Sequence, residues 1–470
     1  MQKFIKRPAL ILFFTALIFA LLFNLKFFGK PPLPGGDDYY YNYATKNLLV
    51  KGSLFLNKYE PVVMADSMYP LFLASIYKIS GLENYDAVRI AQIILFAFTA
   101  ILVYAAAKIL FRQEKLALAA GFLSAIFFPL AGFTIRLIRE PLMAFLIILT
   151  IWLLLKAQET NKYKWFALAG FSAGLMALTN SIVQPFILLI LFGLALLFGK
   201  KFFTNKNLCR AGLLFASFLI LVISFLYRFH WEKGTDPLAS KTGVLSRKAE
   251  MIQDIRGETY FRNLGGLLFG YYFFEKPGFN TQTFLNHRRT SSEMSQLEAE
   301  GYSPQEQSAI IFRQGLNIIL HNIPRYFAIT LLDFLQFNNI MLPNPASFDP
   351  APGQYLFIGG SHQGIPVPVK IIILILLRVV YWLFFGLVIY GLIKALKDWR
   401  RFLWPVLIVA YYNLAYSAIF GIPRYSVPIY SFYIIFFVYG FWQFYDKYLK
   451  HKINAGDDFH NSKTVHGSIN

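Results

Sequence analysis

The chain has 470 residues, of which 56% are hydrophobic, 18% aromatic and only 15% charged, and its mean hydropathy is positive. That composition excludes an ordinary soluble domain and places the molecule in a bilayer. The net charge of +20 would suit nucleic acid if it lay on a polar face, but here Lys and Arg fall in short segments between apolar runs, so no nucleic-acid partner is expected.

Met1 to Arg7 carries Lys3, Lys6 and Arg7, and Ala9 to Phe28 is an apolar stretch long enough to span a bilayer. No small-residue cleavage pattern follows it, so it reads as a retained anchor with a cytoplasmic N-terminus. After the hinge Pro31-Pro32-Leu33-Pro34 comes Gly35-Gly36-Asp37-Asp38-Tyr39-Tyr40-Tyr41, two adjacent carboxylates where a membrane helix has just left the bilayer. One reading is chemistry on a lipid. The other, equally weighted, is that Asp37 and Asp38 cap a helix over Tyr40 to Val50.

Residues 29–85 form an expected first external loop, within which Asp66 to Lys78 should lie in the interface as a helix too short to span. Candidate spans follow near 87–111, 116–135, 141–157, 165–179, 182–199 and 211–229. The intervening loops assigned to the cytoplasm hold Arg112 and Lys115, then Lys156, Lys162 and Lys164, then Lys200, Lys201, Lys206 and Arg210, as the positive-inside rule requires. A lone Cys209 rules out an internal disulfide and a thiolate metal cluster.

Residues 230–370 read as a second external region. Ser291 to Leu320 has helical spacing, broken by His321-Asn322-Ile323-Pro324. The apolar segment 325–337 is expected to be re-entrant or interfacial, because a full span there would put Lys394, Lys397, Arg400 and Arg401 outside. The Pro/Gly-rich stretch 343–368 is a long loop, and spans near 371–394, 402–421 and 426–446 close the domain. The expected architecture is an all-α polytopic membrane protein: one domain, 1–446, of about ten transmembrane helices with interfacial helices in the external loops, then a cytoplasmic polar tail, 447–470. Both termini lie inside, and no internal repeat is visible.

An ordered series of short motifs resembles the C-type glycosyltransferase (GT-C) superfamily, in the branch of dolichyl-phosphate-mannose-protein mannosyltransferases and the lipid A aminoarabinose transferase. The series runs from Asp37-Asp38-Tyr39-Tyr40-Tyr41 and Lys46-Asn47-Leu48-Leu49-Val50-Lys51-Gly52 to Tyr69-Pro70-Leu71-Phe72-Leu73-Ala74, Val88-Arg89-Ile90-Ala91-Gln92 and Arg139-Glu140-Pro141-Leu142. It continues through Ala173 to Asn180, the helix ending in Asn322-Ile323-Pro324-Arg325-Tyr326-Phe327, and Pro423-Arg424-Tyr425-Ser426-Val427-Pro428. Two departures concern the pocket: Ala65-Asp66-Ser67-Met68 stands where the family usually has a Pro-rich, often basic lead, and Asn180 where it usually has Arg or Lys.

The resemblance implies a GT-C bundle in a plasma (inner) membrane that moves a sugar from a polyprenyl-phosphate donor to a hydroxyl of a lipid, glycan or protein on the external face, with inversion. An acceptor hydroxyl needs a general base, and Asp37 is the first candidate, Asp38 the second. The leaving phosphate gains charge, which makes Arg136, Arg139 and Arg424, at expected external helix ends, the donor-phosphate candidates. Each taken singly is as well explained by a side chain snorkelling at a helix end. Glu140, Tyr41 and Tyr425 complete the expected substrate contacts. Glu140 has a structural reading as well, since an acid before Pro141 complements a helix dipole. A divalent cation held by the carboxylates is an open alternative to the expectation that no cofactor is required. His287, His321 and His362 show no metal-ligand spacing. The chain is expected to act as a monomer.

Two rival classes are a polytopic transporter or flippase, and an inactive partner of another transferase. A transporter should carry charges near span centres and paired, similarly interrupted halves. Here the notable charges gather at expected helix ends.

Overall fold

The structure, a computed structural model, describes residues 2–31, 36–52, 54, 68–227, 239–269, 288–339 and 367–449. Among these residues the secondary structure is helical, with no strand. In chain order the helices are α1 (Gln2–Asn24), α2 (Gly36–Lys51), α3 (Met68–Ser80), α4 (Tyr85–Phe111), α5 (Glu114–Ala125), α6 (Phe128–Ala131), α7 (Glu140–Thr160), α8 (Tyr163–Thr179), α9 (Phe186–Phe198) and α10 (Asn205–Leu226). Then come α11 (Ala239–Asp254), α12 (Glu258–Phe269), α13 (Arg288–Ala299), α14 (Pro304–His321), α15 (Ile323–Phe337), α16 (Val367–Leu396), α17 (Trp399–Ile419) and α18 (Tyr430–Phe444).

Eight helices are long and apolar enough to cross a membrane, or up to ten if each of two bent pairs is one span. The expected span at 116–135 is one of those pairs: α5 and the segment Phe128–Ile135 meet at 44°. Pro129, in the first turn after the break, has no N–H to continue the ladder. The expected span at 165–179 is α8, with 17 residues too short to count among the eight.

The other bent pair lies where a re-entrant or interfacial element is expected. The α14 segment Ala309–His321 and α15 meet at 102°, with Asn322 and Pro324 at the corner. The single helix expected over Ser291 to Leu320 is divided in two. Gly301 takes a left-handed φ of 88°, and Ser303 and Glu306 form a reciprocal capping box that starts α14 afresh. Most of the 343–368 loop and the tail beyond 449 lie outside the described residues.

One apolar core runs through α1, α4, α5, α7, α8, α10, α17 and α18. With no water to drive helices together in lipid, close backbone approach does that work. At the α16–α18 crossing a Cβ on Gly440 would lie 2.1 Å from the Leu387 carbonyl oxygen. A second, smaller core joins α11, α12, α14 and α15 through Met251, Ile252, Ile255, Leu267, Ile319, Ile329, Leu332 and Phe420. It ties the region after α10 to the α17–α18 connection.

The two ends of the bundle differ. At one, the C-terminal part of α7 meets the start of α17, where the Gln158 amide donates to the Arg400 carbonyl at 2.8 Å and Trp404 Nε1 to Gln158 at 2.9 Å. The basic connections hold Lys162, Lys200, Lys201 and Lys397. At the other end, the starts of α2 and α7 and the α17–α18 connection bring Asp37, Asp38, Arg136, Glu140 and Arg424 together.

Candidate active site

The site is built around the short non-helical stretch Arg136 to Arg139, between Ile135 and the first turn of α7. Irregular backbone inside a membrane bundle needs partners for its N–H and C=O groups. Side chains supply them. Gln92 Nε2 donates to the carbonyls of Thr134 (3.0 Å) and Arg136 (2.7 Å), and Arg89 Nε donates to that of Ile135 (3.2 Å). Arg89 and Gln92 lie three apart on α4 and so share a helix face. Arg89 also reaches the Lys30 carbonyl at 2.8 Å and Asp86 at 2.7 Å, while Tyr69 donates to Gln92 Oε1 at 3.0 Å. The Tyr69-Pro70 and Arg89–Gln92 motifs therefore brace the stretch that carries the arginines.

The two neighbouring aspartates have different fates. Asp38 is buried, its side chain 3% exposed; Arg136 contacts it at 2.6 Å through Nη2 and 3.1 Å through Nε, and the Leu137 N–H donates to it at 3.1 Å. Both members of that pair are thereby engaged with each other. Asp37, one residue earlier in the first turn of α2, keeps 37% of its side chain accessible and pairs with Arg424. Neither aspartate is the residue preceding the helix; both sit inside its first turn.

Arg424 stands between two carboxylates, with its Nε 3.0 Å from Glu140 Oε1 as well as Nη2 on Asp37. Its guanidinium carbon is 5.4 Å from the centroid of the Tyr425 ring. The other oxygen of the buried Glu140, Oε2, has no hydrogen-bond partner among the described residues. Pro141 follows Glu140 in the first turn of α7, where both residue types are favoured. Arg139, partly accessible, lies in the electrostatic neighbourhood of Tyr41, Tyr416, Glu140 and Tyr425. Tyr41 is buried, and burial holds its phenol well above the ordinary value, so it stays protonated. Burial also pushes Asp37 up, but Arg424, Arg139 and Arg136 outweigh it and hold the carboxyl below its ordinary 3.8.

Of the residues singled out in the sequence, Asp37, Glu140, Arg139, Arg424, Tyr41 and Tyr425 thus share one electrostatic cluster, while Asp38 and Arg136 form a buried pair beside it. Asn180 donates to the Tyr416 hydroxyl at 2.6 Å, and the Tyr416 ring lies 4.9 Å from that of Tyr425. Among the described residues no group of three or more His, Cys, Asp or Glu side chains is placed to hold a metal ion. Asp37 and the buried Glu140 both face the Arg424 guanidinium.

Sequence reasoning missed the contribution of α11. Lys248 is fully buried, 2.5 Å from Asp333 on α15 and 2.8 Å from the Ser417 carbonyl on α17. Its neighbour Arg247 stacks over Phe420, guanidinium carbon 5.4 Å from the ring centroid. The only signal was a basic pair before the apolar Met251, Ile252 and Ile255, which by itself does not separate a membrane-facing helix from a solvated one.

Gly421 holds the Arg424 connection against α15: a Cβ there would lie 2.2 Å from the Asp333 carbonyl oxygen. Gly421→Ala is expected to destabilise the protein by about 1–3 kcal/mol through overpacking, visible as a lower thermal midpoint in detergent.

Residues 67–227 match the family model described as dolichyl-phosphate-mannose-protein mannosyltransferase. No curated protein sequence matches the chain. Among solved structures, the fold is similar to the archaeal oligosaccharyltransferase AglB from Archaeoglobus fulgidus in complex with an inhibitory peptide and a dolichol-phosphate, at TM-score 0.50 and 14% identity over 99% of this chain and 52% of that one. The Archaeoglobus fulgidus oligosaccharyltransferase complexed with Zn and sulfate gives TM-score 0.50 and 13% identity over 93% and 49%. The chain therefore spans about half the length of these proteins. Taken with the apolar helices, these likenesses make the molecule a multi-pass membrane protein with the GT-C fold, whose residues 67–227 are similar to the dolichyl-phosphate-mannose-protein mannosyltransferase family.

Proposed function

We propose that the protein is a membrane glycosyltransferase that takes a sugar from a polyprenyl-phosphate carrier and transfers it to a hydroxyl acceptor on the external face. The observation that carries this reading is the cluster itself: an accessible carboxylate, Asp37, held beside Arg424, Arg139 and Glu140 at the end of the bundle away from the basic connections. By the positive-inside rule that end is external. Segment 67–227 of the family model and the dolichol-phosphate in the first of the similar structures agree with such a donor.

In the proposed reaction the acceptor oxygen attacks the anomeric carbon, its proton passes to Asp37, and the carbon–oxygen bond to the carrier breaks. The bonding pair leaves with the phosphate, so a diester with one negative charge becomes a monoester with two. Arg424 and Arg139 stabilise that gain more than they stabilise the bound donor, which is the condition for lowering the barrier. A single displacement inverts the anomeric centre, by the geometric logic that separates inverting from retaining glycosidases. Glu140 Oε2, which has no hydrogen-bond partner among the described residues, can accept a hydrogen bond from a sugar hydroxyl, and Tyr41 can donate one. We assign Asp38 and Arg136 to the scaffold, because each already satisfies the other.

The reading is tested by incubating the purified protein with polyprenyl-phosphate sugars and acceptor, and following release of polyprenyl phosphate. Release that depends on acceptor supports it; transport of the carrier or a solute with no release supports the transporter reading instead. A pH profile adds a second expected outcome. Asp37 has a lowered pKa, so it is ionised above its ordinary value and loses its charge only as pH falls through the depressed one. The rate at saturating donor should therefore show no acid limb between about pH 5 and pH 8. An acid limb centred near neutrality would assign the base to another group.

A further inference from the structure

The head of Arg424 is held by Asp37 of α2 and Glu140 of α7. Its backbone is held by different elements. Arg424 follows the C-terminus of α17, and a helix C-terminus leaves its last carbonyls without partners inside the helix. No glycine cap closes α17, since the residue after it, Phe420, is extended. Side chains take the carbonyls instead. Lys248 Nζ donates to the Ser417 carbonyl at 2.8 Å, and the Tyr326 hydroxyl to that of Ala418 at 3.1 Å. An ammonium at that end also complements the helix dipole. Lys248 is in turn fixed by Asp333, which lies two turns after Tyr326 and so on the same face of α15. Beyond these bonds Phe420 shares the second core with Ile329 and Leu332, and Gly421 lies close against the Asp333 backbone. Helices α11 and α15 therefore grip the chain from Ser417 to Gly421, one short step before Arg424.

We propose that Lys248 and Asp333 are a positioning pair for Arg424, holding the α17–α18 connection at the one height and rotation that sets the guanidinium between Asp37 and Glu140. The inference rests on the transferase reading above and adds to it two residues that need touch neither donor nor acceptor. Stability alone does not explain the pair. Both side chains are fully buried, and an apolar pair of similar volume in such a place is often as stable or more so. An apolar pair would let α15 and the connection settle in more than one register, whereas an ion pair with a further bond to a carbonyl is satisfied in one. Register matters here, because a misplacement of about 1 Å in a group that stabilises leaving charge costs up to about 100-fold in rate.

The test uses the full chain in detergent micelles and the double variant Lys248→Met with Asp333→Leu, which removes the grip without leaving a buried charge. Its unliganded thermal midpoint is expected to match wild type, while amide hydrogen exchange over 417–424 becomes about tenfold faster or more. With the polyprenyl-phosphate sugar from which wild type releases carrier fastest, kcat should fall about 10- to 100-fold and the donor KM change less than about threefold, since Arg424 acts chiefly on the transition state. In an Arg424→Gln background the double variant should lose little more, because the pair acts through a side chain no longer there. Tyr326→Phe, which deletes only the hydroxyl on the Ala418 carbonyl, repeats the measurements with smaller effects should the double variant be unfolded. Wild-type exchange and kcat in the folded variant overturn the inference, and so does a loss that multiplies in full with that of Arg424→Gln; in both cases the transferase reading stands. If wild type releases polyprenyl phosphate from no donor, that reading fails and the positioning role falls with it, however the exchange comes out.

Discussion

Asp37→Asn is expected to lower sugar transfer by about 10²–10⁴-fold while leaving the thermal unfolding midpoint close to that of wild type. The asparagine keeps the shape of the side chain and can still accept from Arg424, so the partly exposed ion pair loses little. What it cannot do is take a proton from the acceptor. The distinction is measurable in one preparation: polyprenyl phosphate release reads the chemistry, and unfolding in detergent reads the fold. A variant that turns over at the wild-type rate would remove Asp37 from the role of base.

Its neighbour should behave in the opposite way. Asp38→Asn or Arg136→Ala leaves one charge buried without its partner, which costs about 3–5 kcal/mol, a large part of the 5–15 kcal/mol or so that holds a typical domain folded. The expected result is poor yield and a sharply lower thermal midpoint, with activity lost in proportion to folded protein. Replacing both, as Asp38→Leu with Arg136→Met, should restore much of the stability, because an apolar pair of similar volume needs no solvation. If Arg136→Ala folds normally but loses donor affinity alone, Arg136 is a phosphate ligand and the scaffold assignment is wrong.

The contrast between two adjacent aspartates was not legible in the sequence. Asp37 and Asp38 are identical in type and one residue apart, and only the position of Arg136, nearly a hundred residues later, decides which is sealed and which is open. What the sequence does carry is periodicity and charge placement. These give the helical class, the spans around α4, α7, α10, α17 and α18, and the break between α14 and α15 at Asn322-Ile323-Pro324. The Arg89 and Gln92 motif was visible as a resemblance, but its role as a hydrogen-bonding brace depends on a loop that leaves no local signal. The capping box at Ser303 and Glu306 was legible in principle, as Ser followed three residues later by Glu, yet the longer helical pattern masked it. Lys248–Asp333 is the clearest case of a contact fixed by tertiary structure alone, since no local rule links α11 to α15.

The proposed chemistry requires one location for the carrier phosphate. An experimental map of the protein bound to a polyprenyl monophosphate tests it directly. The phosphate should lie within hydrogen-bonding distance of Arg424, with Arg139 on its other side, the Asp37 carboxylate facing the space where the sugar would sit, and the prenyl chain running between helices into the bilayer. A phosphate found at the basic end of the bundle, near Lys200 or Lys397, or one with Asp37 turned away from it, would contradict the proposed chemistry.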